Sequence, residues 1–167
     1  MISLLLDTNI ILDTLSACVL ELINCNLFSV SNVVLNSEIL KQVPNLDPVL
    51  FEVLKETIYE VEMAVEYTKL NKKISFYDAL NLSLAKERNM TLVTGDQQLL
   101  KVAKENNVNC FGTIKLLELM IEEGIITPSN CIEALEKLKI DSTRRLPRTL
   151  IESAIEKIKE KYIVKVN

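Results

Sequence analysis

The chain opens on a short apolar run, Ile2-Ser3-Leu4-Leu5-Leu6, that stops at Asp7. A run of that length and character reads as a central strand buried on both faces. Residues 8–22 read as a helix, in two pieces around Ser16, and 27–30 as a second short strand. Leu35, Ile39 and Val43 recur at i, i+4, i+8 and predict a helix over 32–42, interrupted by Pro44 and Pro48. A further helix is expected over 48–55 and a third strand over 57–61. Helices over 63–71 and 77–89 join through Lys72-Lys73-Ile74-Ser75. The run 90–94 is a strand closed by Gly95-Asp96, 97–106 a helix, 108–111 a fifth strand, and 114–123 a helix stopped by Gly124. Strands alternating with helices point to an α/β domain whose five-stranded sheet is mainly parallel.

After Gly124 the strands stop. Thr127-Pro128 is a helix start, with Pro pre-set for the first helical position, and Ile132, Leu135 and Leu138 give that helix an apolar stripe. A polar linker over 141–148 carries Arg144, Arg145 and Arg148. The last helix repeats Ile151, Ile155, Ile158 and Tyr162 at helical spacing. The expected organisation is therefore an α/β domain over 1–124 and a helical extension over 125–167, packed on the domain or on a second copy.

Composition narrows the chemistry. The 167 residues include no His, which excludes a Ser-His-Asp triad, a Cys-His pair and any imidazole metal ligand. The three glycines, Gly95, Gly112 and Gly124, are too scattered for a P-loop or a dinucleotide fingerprint. Net charge is −4, so the chain is not a bulk polycation. Residues 1–60 carry two basic and eight acidic side chains, whereas 131–167 carry nine and six. That gradient permits a local contact with an anionic partner. Cys18, Cys25, Cys110 and Cys131 form no C-x-x-C and sit among apolar neighbours, reading as buried reduced thiols of the cytosol. No basic leader precedes Asp7, and no uncharged run approaches the ~18 residues of a membrane span. A soluble cytoplasmic protein is expected.

In a parallel sheet, ligands gather beyond the carboxyl ends of the strands. Four acids lie at element ends: Asp7 after the first strand, Glu38 on the helix after the second, Asp78 at the head of the helix before the fourth, and Asp96 just after the fourth. Each also has a plain structural role. Asp7 is placed to cap the next helix, Ser75 and Asp78 fit a capping box, and Asp96 is a good N-cap. Yet Asp78, Leu82 and Ala85 share an inward stripe, and Glu38 follows Val34 beside another, with no Lys or Arg on either. An ionised carboxylate near a core is costly unless compensated. A divalent cation compensates it, and oxygen-only ligation suits Mg²⁺ or Mn²⁺. Such a site can hold a phosphate and activate water for in-line attack. Mutual repulsion would then make Asp96→Asn neutral or stabilising in the metal-free protein.

The segments Leu4-Leu5-Leu6-Asp7-Thr8-Asn9, Ser37-Glu38, Tyr77-Asp78-Ala79-Leu80 and Leu92-Val93-Thr94-Gly95-Asp96 together resemble the PIN-domain nuclease family over roughly 1–120, including the 18-residue step from Asp78 to Asp96. The resemblance implies a three-layer α/β/α fold and Mg²⁺- or Mn²⁺-dependent cleavage of RNA. It implies Asp7, Glu38, Asp78 and Asp96 as the acidic quartet holding the metal, with Asn9 and Thr94 as supporting polar groups. Asp13, four residues beyond Asn9, is placed on an exposed helix face. Lys72, Lys73, Arg144, Arg145 and Arg148 are the candidate contacts to RNA. Many small prokaryotic members are toxins, which implies an antitoxin as a candidate partner, and members commonly form homodimers. The two-helix tail departs from the usual short toxin. A haloacid-dehalogenase-like phosphatase needs a second acid where Asn9 stands, and a response-regulator receiver needs an acid pair and a phosphoacceptor that are missing. A non-catalytic RNA- or protein-binding module on the same fold is the alternative that stays open.

Overall fold

The computed structural model describes residues 3–20, 27–144 and 146–163. Five strands form one sheet in the order β3-β2-β1-β4-β5, with every neighbouring pair parallel. They are β1 (Leu4–Leu6), β2 (Phe28–Ser31), β3 (Glu52–Leu54), β4 (Thr91–Val93) and β5 (Cys110–Phe111). The three leucines of β1 are fully buried, as a central strand covered on both faces requires. Leu4, Leu5 and Leu6 pair with Thr91, Leu92 and Val93 on one side, and Leu4 and Leu5 with Phe28 and Ser29 on the other. The chain thus builds outward from β1 through β2 to β3, then returns to the opposite side of β1 as β4. That reversal sets the crevice beside β1 and β4.

The crossovers are helical. They include α1 (Thr8–Ser16), α2 (Asn32–Val34), α3 (Leu40–Gln42), α4 (Ile58–Leu70), α5 (Phe76–Glu87) and α6 (Gln97–Glu105). Between α2 and α3 the backbone widens into a π-helical turn, Leu35–Ile39. α7 (Thr113–Glu122), α8 (Pro128–Ile140) and α9 (Arg148–Ile158) complete the chain. Gly124 ends the α7 segment at φ +70°, the left-handed conformation that glycine adopts without penalty. Thr127 caps α8 with Pro128 in its first turn, as the sequence predicts.

One stretch departs from the sequence reading. The expected helix over 48–55 is a single 3₁₀ turn, Pro48–Leu50, capped by Asp47 and followed by the edge strand β3. The expected strand over 57–61 is the first turns of α4. Thr57 accepts the Glu60 amide while the Glu60 carboxylate takes the Thr57 amide. This capping box outweighs the strand propensity of Ile58, Tyr59 and Val61. The break expected at Ser16 is where α1 ends, while 21–26 lie outside the described residues.

By packing, the chain forms two compact units, and these are not the segments 1–124 and 125–167. The first comprises Met1–Ile11 and Asn24–Gly112, and the second Leu12–Ile23 and Thr113–Asn167. The first unit holds the sheet, and its core includes Leu5, Leu80, Leu82, Leu92 and Leu99. In the second, Leu135 and Leu138 of α8 and Ile151, Ile155 and Ile158 of α9 are buried, while Ile132 and Tyr162 of the same stripes are half-buried. The cysteines are not uniformly buried: Cys131 is, Cys110 is half-buried and Cys18 is exposed in a left-handed turn. Cys25 lies outside the described residues. Among the described residues no helix is long and apolar enough to cross a membrane.

Candidate active site

Asp7 follows the last residue of β1 and stands where the order of strands reverses, the place at which open α/β sheets bind ligands. Its amide donates to the Val93 carbonyl at 3.0 Å, which locks it beside β4. The residue is only 3% exposed. Oδ1 accepts the Thr8 amide at 2.8 Å and the Asn81 side-chain Nδ2 at 3.2 Å, and Oδ2 accepts the Thr94 hydroxyl at 2.8 Å. Burial pushes the Asp7 carboxyl up from 3.8 to about 6. The Thr94 hydroxyl and the Thr8 amide oppose that shift, and the negative charges of Asp78 and Glu38 add to it. These are carboxylates whose fields meet.

Two threonines tie Glu38 and the backbone of Asp96 to Asp7. Thr8 Oγ1 donates to Glu38 Oε2 at 2.8 Å, tying the π-helical turn to the end of β1. Such wide turns inside helices recur at functional sites. The Asp96 amide donates to Thr94 Oγ1 at 3.1 Å, so the Thr94 hydroxyl links Asp7 to the start of α6. The Asp96 carboxylate caps α6 by accepting the amides of Gln98 and Leu99, each at 2.8 Å. Asp78 closes its own capping box, Oδ2 accepting the Ser75 amide at 2.8 Å. Both caps expected from sequence are present.

Held by these local bonds, the carboxylates do not form a closed cage. Among the described residues no group of three or more His, Cys, Asp or Glu side chains is close enough to hold an ion together. The donor set nonetheless fits Mg²⁺ or Mn²⁺. It is all oxygen, and such ions keep several waters while leaning on one or two carboxylates. The charged groups acting on Asp7 are both negative, so a cation would relieve rather than oppose the local field.

The remaining sequence candidates are spread more widely. Asn9 is exposed in the first turn of α1, and Lys72 and Lys73 are exposed in the turn before α5. Arg148 is exposed at the start of α9, and Arg145 lies outside the described residues. Arg144 is turned inward, its Nη1 3.8 Å from Asp13 Oδ1. Asp13 itself is buried, not exposed as the helix pattern implied. It accepts the Thr113 hydroxyl, and burial raises its pKa against the pull of Thr113 and Arg144. It belongs to the second unit.

Sequence reasoning missed two members of the network, Thr8 and Asn81. Thr8 carries no local signal beyond following Asp7. Asn81 carries one: it is an amide inside the run Ala79–Ala85, which is buried throughout.

A family model described as a PIN domain matches residues 6–160, a span that takes in the two helices of the tail as well as the sheet. No curated protein matches the chain.

Proposed function

The chain belongs to the PIN-domain family, whose fold is a nuclease fold, and we propose that it is a metal-dependent endoribonuclease hydrolysing RNA phosphodiester bonds with water as nucleophile. The observation that carries this reading is Asp7, a carboxylate buried at the sheet's switch point, oriented by three donors and surrounded by negative charge. A buried acid of that kind destabilises the fold unless a proton or a cation compensates it.

A divalent cation held by Asp7 together with Glu38, Asp78 or Asp96 supplies Lewis-acid polarisation of a phosphate and a more acidic water. The protein's own part is positioning. Thr94 and the Thr8 amide hold both Asp7 oxygens, and the Thr8 hydroxyl holds Glu38. Thr94 also fixes the amide of Asp96. Lys72 and Lys73, exposed ahead of the Asp78 helix, are the cationic groups offered to the RNA backbone.

The test is cleavage of RNA by purified protein in Mn²⁺ or Mg²⁺, with chelator and with Asp7→Asn. Cleavage that stops in chelator and falls by about a hundred- to a thousand-fold in the variant is expected, because each 1.36 kcal/mol lost is tenfold and metal polarisation is worth several. Equal cleavage in chelator, or an unimpaired variant, overturns the reading.

A further inference from the structure

The seven residues Ala79–Ala85 of α5 are all buried, and Asn81 and Ser83 are the polar ones among them. Asn81 is 0% exposed. Its Nδ2 donates to Asp7 Oδ1, while its own Oδ1 has no hydrogen-bond partner among the described residues. The amide's orientation follows from charge, since a carbonyl turned toward the Asp7 carboxylate would repel it. A leucine would fill that position without leaving a buried carbonyl unpaired. A buried, half-satisfied amide is a standing cost to the fold and calls for a reason.

The acceptor count at Asp7 supplies one. A carboxylate offers about four lone-pair sites. The Thr8 amide and Asn81 occupy the two on Oδ1, and Thr94 occupies one on Oδ2. One acceptor position, on Oδ2, is left.

Resting on the nuclease reading, we propose that Asn81 is a positioning residue that closes Oδ1 of Asp7, so that the carboxylate presents a single oxygen, Oδ2, to a divalent cation. Without the amide, the carboxylate has a second open position, on Oδ1, where the Thr8 amide is the one remaining donor. Partners that orient a ligating carboxylate typically change metal affinity by about ten- to a hundred-fold when removed.

The experiment measures Mn²⁺ affinity by titration calorimetry on wild type, Asn81→Leu and Asn81→Ala, with thermal melts of each in the metal-free state. The expected result is an affinity about ten- to a hundred-fold weaker in both variants while their metal-free melting temperatures hold or rise. A merely structural Asn81 would do the reverse, lowering the melting temperature and leaving the affinity of the folded fraction alone. Affinity within about twofold of wild type in a folded variant overturns the proposal and leaves the nuclease reading standing. If wild type itself binds no Mn²⁺ at millimolar concentration, the nuclease reading fails and the proposal falls with it. A measurement on wild type alone covers the case in which neither variant folds. The Asn81 side-chain amide resonances should be protected from solvent exchange and should shift on Mg²⁺ saturation. Unprotected or unmoved resonances overturn the proposal.

Discussion

Asp7 and Glu60 expose nearly the same small fraction of their surface, 3% and 4%, in the same compact unit, although Asp7 lies deeper, and the protein treats them in opposite ways. Glu60 has its own cation. Arg88 Nε lies 2.7 Å from Glu60 Oε1 and Nη2 lies 2.9 Å from Oε2, while Thr57 supplies an amide and a hydroxyl. The Arg88 bond dominates and, with the Thr57 bonds, brings the Glu60 carboxyl down from 4.5 to about 2 against the opposing effect of burial. Asp7 has three neutral donors and two negative neighbours, and it is raised to about 6. An acid that holds the fold together arrives with its counter-charge. An acid that accepts a cation from outside, as the proposed nuclease chemistry has it for Asp7, is left without one.

The contrast can be broken most forcefully at Glu60. Removing one member of a buried pair strands the other charge, so Arg88→Met should destabilise by about 2–3 kcal/mol, at or below the usual range because Arg88 is partly exposed. Chemical denaturation measures this, and a loss under about 0.5 kcal/mol, the scale of an exposed pair, would remove the distinction. Asp7→Asn should move the other way. The shift from 3.8 to about 6 corresponds to at most about 3 kcal/mol of strain in the ionised metal-free protein, so a gain of about 1–3 kcal/mol at pH 7 is expected. A destabilised variant would show that the three donors outweigh the burial.

The pH dependence sharpens the comparison. Asp7 holds its proton more tightly when folded, so its contribution is fully present below about pH 3.8 and is lost as pH rises through about 6. Glu60 holds its proton less tightly when folded, so its contribution is present above about pH 4.5 and is lost as pH falls toward about 2. Metal-free wild type should therefore lose stability between pH 4 and 6 relative to Asp7→Asn, and Mn²⁺ should erase that loss. The smallest effect is expected at Asp96. Its carboxylate caps α6, and the negative charges acting on Asp7 are those of Asp78 and Glu38. Asn caps about as well as Asp, so Asp96→Asn should stay within about 0.5 kcal/mol of wild type in the metal-free state. A gain as large as that of Asp7→Asn would place Asp96 inside the same field.

How far the fold was legible depends on the kind of signal. β1, β2, β4 and β5 stand in the sequence as short apolar runs ending at Asp, Ser or Gly. β3 does not, because its residues Glu52 and Val53 lie exposed on an edge, where no apolar run is needed. The caps at Ser75, Asp96 and Thr127 were legible because both partners lie within three residues. The capping box of Thr57 and Glu60 was equally local, but it was masked by the β-branched residues beside it.

Local chemistry was therefore written in the sequence alone: the apolar strand that ends at an acid, the caps, the absence of His and the oxygen-only donor set. Tertiary structure decided the rest. Thr94 lies 87 residues from Asp7 and Asn81 lies 74, and only the reversal of the strands around β1 brings them to its carboxylate. The sequence offers Arg144 as a candidate contact to RNA, and the fold turns it to Asp13, which is buried where the helix pattern implies exposure. The physical reason is common to all three. Hydrophobic periodicity and caps act over one turn of chain, whereas the burial of a charge, and the partner it then requires, are set by whatever the fold packs around it.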